Sequence, residues 1–344
     1  MQKTDMILPT NSRLQFTSDL NICRILNGMW QVSGGHGRIN PQTAIQAMFT
    51  YVDAGFTTWD LADHYGPAED LIGEFRRQLI ASRGEAALAN IQAFTKWVPR
   101  PGKMTRKIVE DNINISLRRM DVSALDLMQF HWWEYGDNNY LDALKYMGEL
   151  QTEGKIKHLA LTNFDTEHLQ IITAAGIKIV SNQVQYSLVD RRPQVNMVKF
   201  CQEHDIKLFT YGSVCGGLLS EKYLGQPEPR GFDLNTTSLK KYKNVIDAWG
   251  GWGLFQQLLA TLKQIADKHQ VSIANVAVNY ILHQPAVGGV IVGARLGIAE
   301  HLEDNARVFG FSLDAEDVEK MDAVSQQSWD LYQLIGDCGD EYRR

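Results

Sequence analysis

Trp59-Asp60-Leu61-Ala62-Asp63-His64-Tyr65-Gly66 follows a short aromatic and β-branched run, Phe56-Thr57-Thr58, and leads into a helix-like segment beginning near Pro67. It reads as the turn where a strand hands over to a helix. In α/β folds such turns lie at the carboxyl ends of parallel strands, where ligands bind. Two carboxylates, a histidine and a tyrosine this close together suit a site, and a well-capped surface turn has a similar composition. The rest of the chain decides between the two.

Outward from this turn, strand-like and helix-like segments alternate. Leu14–Phe16 and Ile22–Leu26, split by Ser18-Asp19-Leu20-Asn21, predict a small N-terminal hairpin. Leu26–Val32 runs through Gly34, Gly35 and Gly37 into a helix at 41–54, with Pro41 where helix starts favour it. Phe56–Leu61 precedes a helix near 67–81, and Ile91–Trp97 precedes one at 104–120 with Thr105 as N-cap. Leu125–Trp132 precedes a helix at 140–152 that ends near Gly154. Ile156–Thr162 precedes one near 166–175, ended by Gly176, and Ile179–Gln185 one at 193–204. After Ile206–Tyr211 the pattern breaks. Residues 212–252 are rich in Gly, Pro, Lys and aromatics without a clean period, and predict a long functional loop. Helices at 253–269 and 272–284, a last strand Val290–Val292 and a helix near 299–308 complete the set.

Eight such repeats predict an α/β fold, a (β/α)8 TIM barrel with a small N-terminal hairpin, a long loop after the seventh strand and a C-terminal tail. The expectation is one domain over 1–344, with its core at 14–325 and a tail at 326–344. Trp329, Leu331 and Tyr332 are expected to dock that tail on the body. A doubly wound open sheet is the alternative. Against it, Gly34-Gly35-His36-Gly37 lacks the Gly-x-Gly-x-x-Gly spacing such a sheet carries after its first strand.

A formal net charge of -6 without a long basic run argues against nucleic acid or an anionic membrane as partner. The four cysteines, Cys23, Cys201, Cys215 and Cys338, form no CxxC pair and no metal-ligand spacing with histidine, so neither zinc nor a disulfide framework is expected. No apolar run has the length of a membrane span, and Met1–Phe16 lacks the apolar centre of a signal peptide. The expectation is a cytoplasmic protein.

The strand ends carry the chemistry. They present Asp60 and Tyr65, Lys96, His131, Thr162-Asn163, Gln183, Tyr211 and Gly293-Ala294-Arg295 in succession. A lone lysine or histidine at such a place is usually structural; a run of them around one barrel end points to a site. A tyrosine ordinarily titrates near 10, roughly, and a neighbouring ammonium favours its phenolate. Lys96 is expected to supply that ammonium and Asp60 to balance it, while His131 donates a hydrogen bond to a substrate oxygen. A tuned acid beside an oxyanion donor suits carbonyl reduction, and with no electron donor among these residues the hydride must come from a cofactor.

From about residue 14 to 325 the chain resembles the aldo-keto reductase superfamily. The resemblance lies in Gly28-Met29-Trp30-Gln31, Trp59 to Gly66, Thr95-Lys96, Gln129-Phe130-His131, Leu161-Thr162-Asn163-Phe164, Asn182 to Tyr186, Tyr211-Gly212-Ser213-Val214 with Gly217-Leu218-Leu219, and Val292 to Arg295 with Glu303-Asp304-Asn305. It implies a catalytic tetrad of Asp60, Tyr65, Lys96 and His131, with Tyr65 as general acid. It implies that Thr162, Asn163 and Gln183 hold a nicotinamide carboxamide and that Tyr211 stacks on the ring. Further cofactor contacts fall on Met29, Trp30, Gly212, Ser213, Gly217, Leu218, Gly293, Ala294, His301 and Asp304. Arg295 and Asn305 stand where the family grips an adenosine 2′-phosphate, so NADPH is expected over NADH.

The sequence departs from the family at several points. Thr162 replaces a serine, Gly212-Ser213 a Ser-Pro, His301 a glutamine and Trp133 a proline. Trp30, Trp132 and Trp133 are the expected substrate contacts, and Tyr135, Trp249, Trp252, Trp329 and Tyr332 further wall candidates. Together they suit small aldehydes or ketones. A monomer is the family expectation. Two other readings share these residues: a nicotinamide-binding regulatory subunit with little turnover, and an alcohol or sugar dehydrogenase running oxidatively.

Overall fold

The computed structural model describes residues 8–34, 39–298 and 301–343. Among the described residues the strands are, in chain order, β1 (Arg13–Gln15), β2 (Asn21–Cys23), β3 (Ile25–Gly28), β4 (Thr58–Asp60), β5 (Gln92–Trp97), β6 (Leu125–Phe130), β7 (Ile156–Thr162), β8 (Ser181–Gln185), β9 (Lys207–Tyr211) and β10 (Val287–Gly293). The last eight are parallel and close into a barrel in the order β10-β3-β4-β5-β6-β7-β8-β9. Helices follow the strands around its outside, so this is the expected (β/α)8 barrel and not an open sheet.

Register places the polar strand ends in one ring. Asp60 sits beside Gly28, Lys96 beside Gln129, Thr162 beside Gln183, and Gln185 beside Tyr211. Local chemistry starts the helices where the sequence indicates. Asn40 accepts from the amides of Gln42 and Thr43 ahead of Pro41–Asp53, and Thr105 accepts from Ile108 ahead of Arg106–Met120.

At the opposite end, β1 and β2 pair antiparallel as a lid. Phe16, Leu20 and Ile22 from this hairpin pack on Leu26, Phe94, Leu127 and Phe209 inside the barrel. The Phe16 ring lies 5.0 Å from that of Phe209. A shallow cleft of about 530 Å³ near Arg13, Asn21 and Gln92 belongs to this closed end, away from the polar ring.

Several boundaries differ from expectation. The run Ile22–Leu26 is shared between β2 and β3, because the chain must leave the hairpin to enter the barrel. The strand expected over Leu26–Val32 stops at Gly28 and becomes a 3-10 turn, Met29–Ser33, which carries Trp30 over the barrel mouth. Gly35 and Gly37 lie outside the described residues.

The stretch 212–252 is not all loop. Thr236 caps a helix, Thr237–Trp249, that buries Leu239, Tyr242, Ile246 and Trp249 along one face. A second unexpected helix, Ala315–Ser325, starts in a capping box of Asp314 and Asp317.

Asp317 is fully buried, with Lys268 Nζ at 2.8 Å and His269 Nε2 at 2.7 Å. Burial pushes its carboxyl up, but the hydrogen bonds from Lys268 and His269 outweigh this and hold it at about 2. A depressed folded-state value stabilises the fold above the unfolded carboxyl's range and ceases to do so as pH falls toward 2. Asp317→Asn should therefore lose about 2 kcal/mol at neutral pH, the worth of hydrogen bonds to a charged group. It should also flatten the decline of urea-unfolding stability between about pH 4 and 2. An unchanged acid slope would contradict this.

Candidate active site

Asp60 closes β4 and is buried, and each donor that reaches it comes from another strand. Lys96 Nζ donates to Oδ2 at 2.7 Å and also to the carbonyl of Leu61 at 2.8 Å. Gln129 Nε2 and Gln183 Nε2 both donate to Oδ1, at 3.1 and 2.8 Å. The turn quoted at the outset is pinned across strands as well: Asp63 accepts from the amide of Val98 at 3.1 Å and pairs with His64 at 2.7 Å. Glu69, buried beneath the turn, accepts from Thr95 at 2.6 Å.

This fixes Tyr65. Its ring meets that of Trp30 edge-on at 5.0 Å, and the Lys96 ammonium lies 4.8 Å from its ring centre. Burial first, then the Asp60 carboxylate, push the Tyr65 phenol well above its ordinary value. The expectation that Lys96 lowers it does not hold in this arrangement, because the ammonium lies over the ring and spends its hydrogen bonds on Asp60 and Leu61. Tyr65 is a firmly protonated acid. Lys96 is itself shifted down by burial, with Asp60 opposing the shift.

His131 is buried after β6. Its Nδ1 faces the carbonyl of Thr162 at 3.1 Å, and a carbonyl only accepts, so Nδ1 carries the hydrogen. Burial lowers the ring to about 4. Neutral His131 therefore presents a bare Nε2, which is buried without a partner among the described residues. In this tautomer Nε2 is an acceptor while the ring is neutral, and the donation expected at a substrate oxygen needs the imidazolium.

Asn163 follows β7 with φ +58, a left-handed conformation that asparagine tolerates better than most residues. Its Oδ1 accepts from the Tyr211 hydroxyl at 2.7 Å, and its Nδ2 carries no hydrogen bond among the described residues. Both Gln183 N–H groups are consumed, one by Asp60 and one by Gln129 Oε1 at 2.8 Å. Its Oε1 has no such partner. A bare donor and a bare acceptor on adjoining strands match a primary carboxamide, which both donates and accepts.

The Thr162 hydroxyl donates to the Gln183 carbonyl at 3.3 Å and so serves the barrel wall. Ser213 donates to the carbonyl of Tyr186, and Met29 and Leu218 are fully buried, so none of these three side chains is presented to a ligand. Gly212 has φ +76, and a Cβ there would stand 2.6 Å from the Tyr242 phenol oxygen, so no side chain fits.

Gly293 and Arg295 are exposed and Ala294 is buried at the end of β10; Gly217 is half-buried. His301 is exposed and Asn305 half-buried near the start of Leu302–Arg307. Asp304 is committed elsewhere, accepting from Ser272 at 3.0 Å and from Asn275.

Of the three tryptophans expected at the substrate, two line the mouth. Trp30 lies against Tyr65, and Trp133, 40% exposed, meets His131 edge-on at 4.4 Å. Trp132 points the other way: it is fully buried and its indole N–H donates to the carbonyls of Glu134 and Asp137. Trp249 is buried in its helix, Tyr332 bonds Asn196, and Trp329 is 68% exposed.

The tail contributes groups that residue spacing did not indicate. Arg192, held by two 2.8 Å bonds to Asp190, donates to the Asp337 carbonyl and to Glu341, both at 3.0 Å. Gly339, at φ +91, then passes so close to the Asn163 carbonyl that a Cβ would come within 2.1 Å of its oxygen. Beyond it, Tyr342 brings its hydroxyl 3.1 Å from that of Tyr211 and accepts from Lys241, while Arg343 lies 3.9 Å over the Tyr135 ring. Aromatic character near the chain end was the only signal in the sequence.

Comparisons with known proteins agree with this fold. The Aldo/keto reductase family model matches residues 24–326. The chain is 26% identical to the aldo-keto reductase YhdN of Bacillus subtilis, over 89% of this chain and 90% of that protein. It is 22% identical to the NADH-specific methylglyoxal reductase of Escherichia coli, over 90% and 97%. It is 33% identical to flagellar radial spoke protein 5 of Chlamydomonas reinhardtii, over 45% of this chain and only 33% of that one. A crystal structure of an aldo/keto reductase from Klebsiella pneumoniae in complex with NADP and acetate superposes with a TM-score of 0.67 at 21% identity, covering 91% of this chain and 95% of that one.

Proposed function

Because the chain belongs to the aldo/keto reductase family, we propose that it reduces aldehydes or ketones to alcohols with NADPH, and that Tyr65 supplies the proton. The observation that carries the reading is the pair left bare between β7 and β8, Asn163 Nδ2 as donor and Gln183 Oε1 as acceptor. They would hold the carboxamide of a nicotinamide, beside the Tyr211 ring. When bound, the nicotinamide supplies the hydride.

The remaining steps belong to the protein. Tyr65, kept protonated by burial and by Asp60, donates its hydroxyl to the substrate oxygen and passes the proton to it. The phenolate that forms lies beneath the Lys96 ammonium, and Asp60 keeps that ammonium in place. His131 Nε2 accepts a hydrogen bond from the new hydroxyl, which suits its neutral, bare state. Trp30 and Trp133 form apolar walls that favour small carbonyl compounds over highly charged ones. An acceptor at His131 also suits an arriving alcohol, so the same groups support oxidation as a second reading.

Arg295, past the end of β10, supports NADPH over NADH through paired hydrogen bonds to a 2′-phosphate. The test is nucleotide oxidation followed across a panel of aldehydes, ketones and sugars, with NADPH and NADH in parallel. The expected result is reduction of small aldehydes, with kcat/KM for NADPH at least about tenfold above NADH and that ratio falling about tenfold in Arg295→Ala, roughly one charge-assisted interaction. Tight nucleotide binding with no turnover on any carbonyl would favour the regulatory reading. Faster alcohol oxidation would favour the dehydrogenase.

A further inference from the structure

Gln129 lies fully buried on β6, below the reacting groups, yet it touches two of the residues just described. Its Nε2 donates to Asp60 Oδ1 at 3.1 Å and its Oε1 accepts from Gln183 Nε2 at 2.8 Å. The directions of both amides follow from one fact: a carboxylate can only accept. Asp60 Oδ1 must therefore face an N–H of Gln129 and an N–H of Gln183. With Gln129's nitrogen turned toward Asp60, its oxygen is left for Gln183. Gln183 thereby loses its second N–H to Gln129, and its own Oε1 is the group with nothing to bind among the described residues.

We infer that Gln129 is a positioning residue: Asp60 turns the Gln183 nitrogen inward, and Gln129, taking its second N–H, pins the amide so that the carbonyl oxygen stays facing the carboxamide N–H of the nicotinamide. This rests on the nicotinamide reading above. Gln129 touches neither cofactor nor substrate in this role. It acts by consuming the one Gln183 hydrogen that Asp60 leaves over. Without it, Asp60 still keeps the Gln183 nitrogen inward, but the amide hangs on that single bond and can swing about its terminal torsion, which is broad in an amide. The acceptor oxygen is then no longer held at one place, and is presented to the carboxamide only part of the time.

The discriminating ligand is the 3-acetylpyridine analogue of NADPH, which keeps the ring carbonyl but replaces the carboxamide amino group with a methyl. Dissociation constants of NADPH and of this analogue are measured by quenching of protein fluorescence, with no turnover required. The wild-type protein should prefer NADPH about tenfold, the order of one hydrogen bond. Gln129→Met, of similar length and without donors or acceptors, should compress that preference to about twofold or less. Gln183→Met should compress it equally, and the double variant no further, as expected for two residues acting through one interaction.

A merely structural role for Gln129 would weaken both ligands alike and leave the ratio intact, and that result overturns the inference while the nicotinamide reading stands. No binding of either nucleotide to the wild-type protein overturns both. If Gln129→Met is not folded by circular dichroism, Gln129→Asn, whose shorter amide cannot span Asp60 and Gln183 together, is read by the same ratio.

Discussion

Tyr65→Phe should lose carbonyl reduction by about 10³-fold, the usual contribution of a positioned general acid, while still binding NADPH. The ring is retained, so its edge-on packing against Trp30 and its place beneath Lys96 persist. What is lost is the single hydroxyl whose proton burial and Asp60 keep in place. A loss of that size in kcat, with the dissociation constant of NADPH within about threefold of wild type, separates a chemical role from a structural one. Turnover near the wild-type rate would remove Tyr65 from the mechanism.

Lys96→Met should have the second largest effect, and stability should register it before activity. Lys96 and Asp60 are both almost entirely buried, and the ammonium is the only cation paired with that carboxylate among the described residues. Removing it leaves Asp60 to two neutral amides, and an uncompensated buried charge costs about 3–5 kcal/mol. Asp60→Asn combined with Lys96→Met should recover part of that loss, because the stranded charge is gone. Neither the single nor the double variant should reduce carbonyls at a useful rate, since both lack the ammonium under which the Tyr65 phenolate forms. Denaturant unfolding of the four proteins in the cycle reads the coupling directly. Additive effects would mean that the pair does not act as a unit.

Much of the barrel was legible because each β/α repeat announces itself locally. Apolar runs such as Ile156–Thr162 end in polar residues, and caps such as Thr105 mark where helices start. The positions of Asp60, Lys96 and His131 were legible for the same reason, since each lies at the end of a different strand, and Tyr65 follows Asp60 in the turn after β4. The helix Thr237–Trp249 escaped although Leu239, Tyr242, Ile246 and Trp249 keep a helical period, because Lys240, Lys241 and Lys243 and the glycines at 250 and 251 hide it.

Other features depend on contacts no local pattern encodes. Trp132 and Trp133 are neighbours in sequence, and only the carbonyls of Glu134 and Asp137 decide which one turns inward. Tyr342 and Lys241 reach Tyr211 through docking of distant segments. The acceptor character of His131 depends on a single carbonyl, that of Thr162.

The hairpin at the far end has a bearing on all of this chemistry. With Phe16 seated against Phe94 and Phe209, the barrel is a flask and not a pipe: its floor is a hydrocarbon cluster. In the reaction proposed above, ligands and the proton that recharges Tyr65 would share the other end, where residues 337–343 reach Tyr211 and Trp132. The stopper at the bottom thus leaves the barrel a single working end.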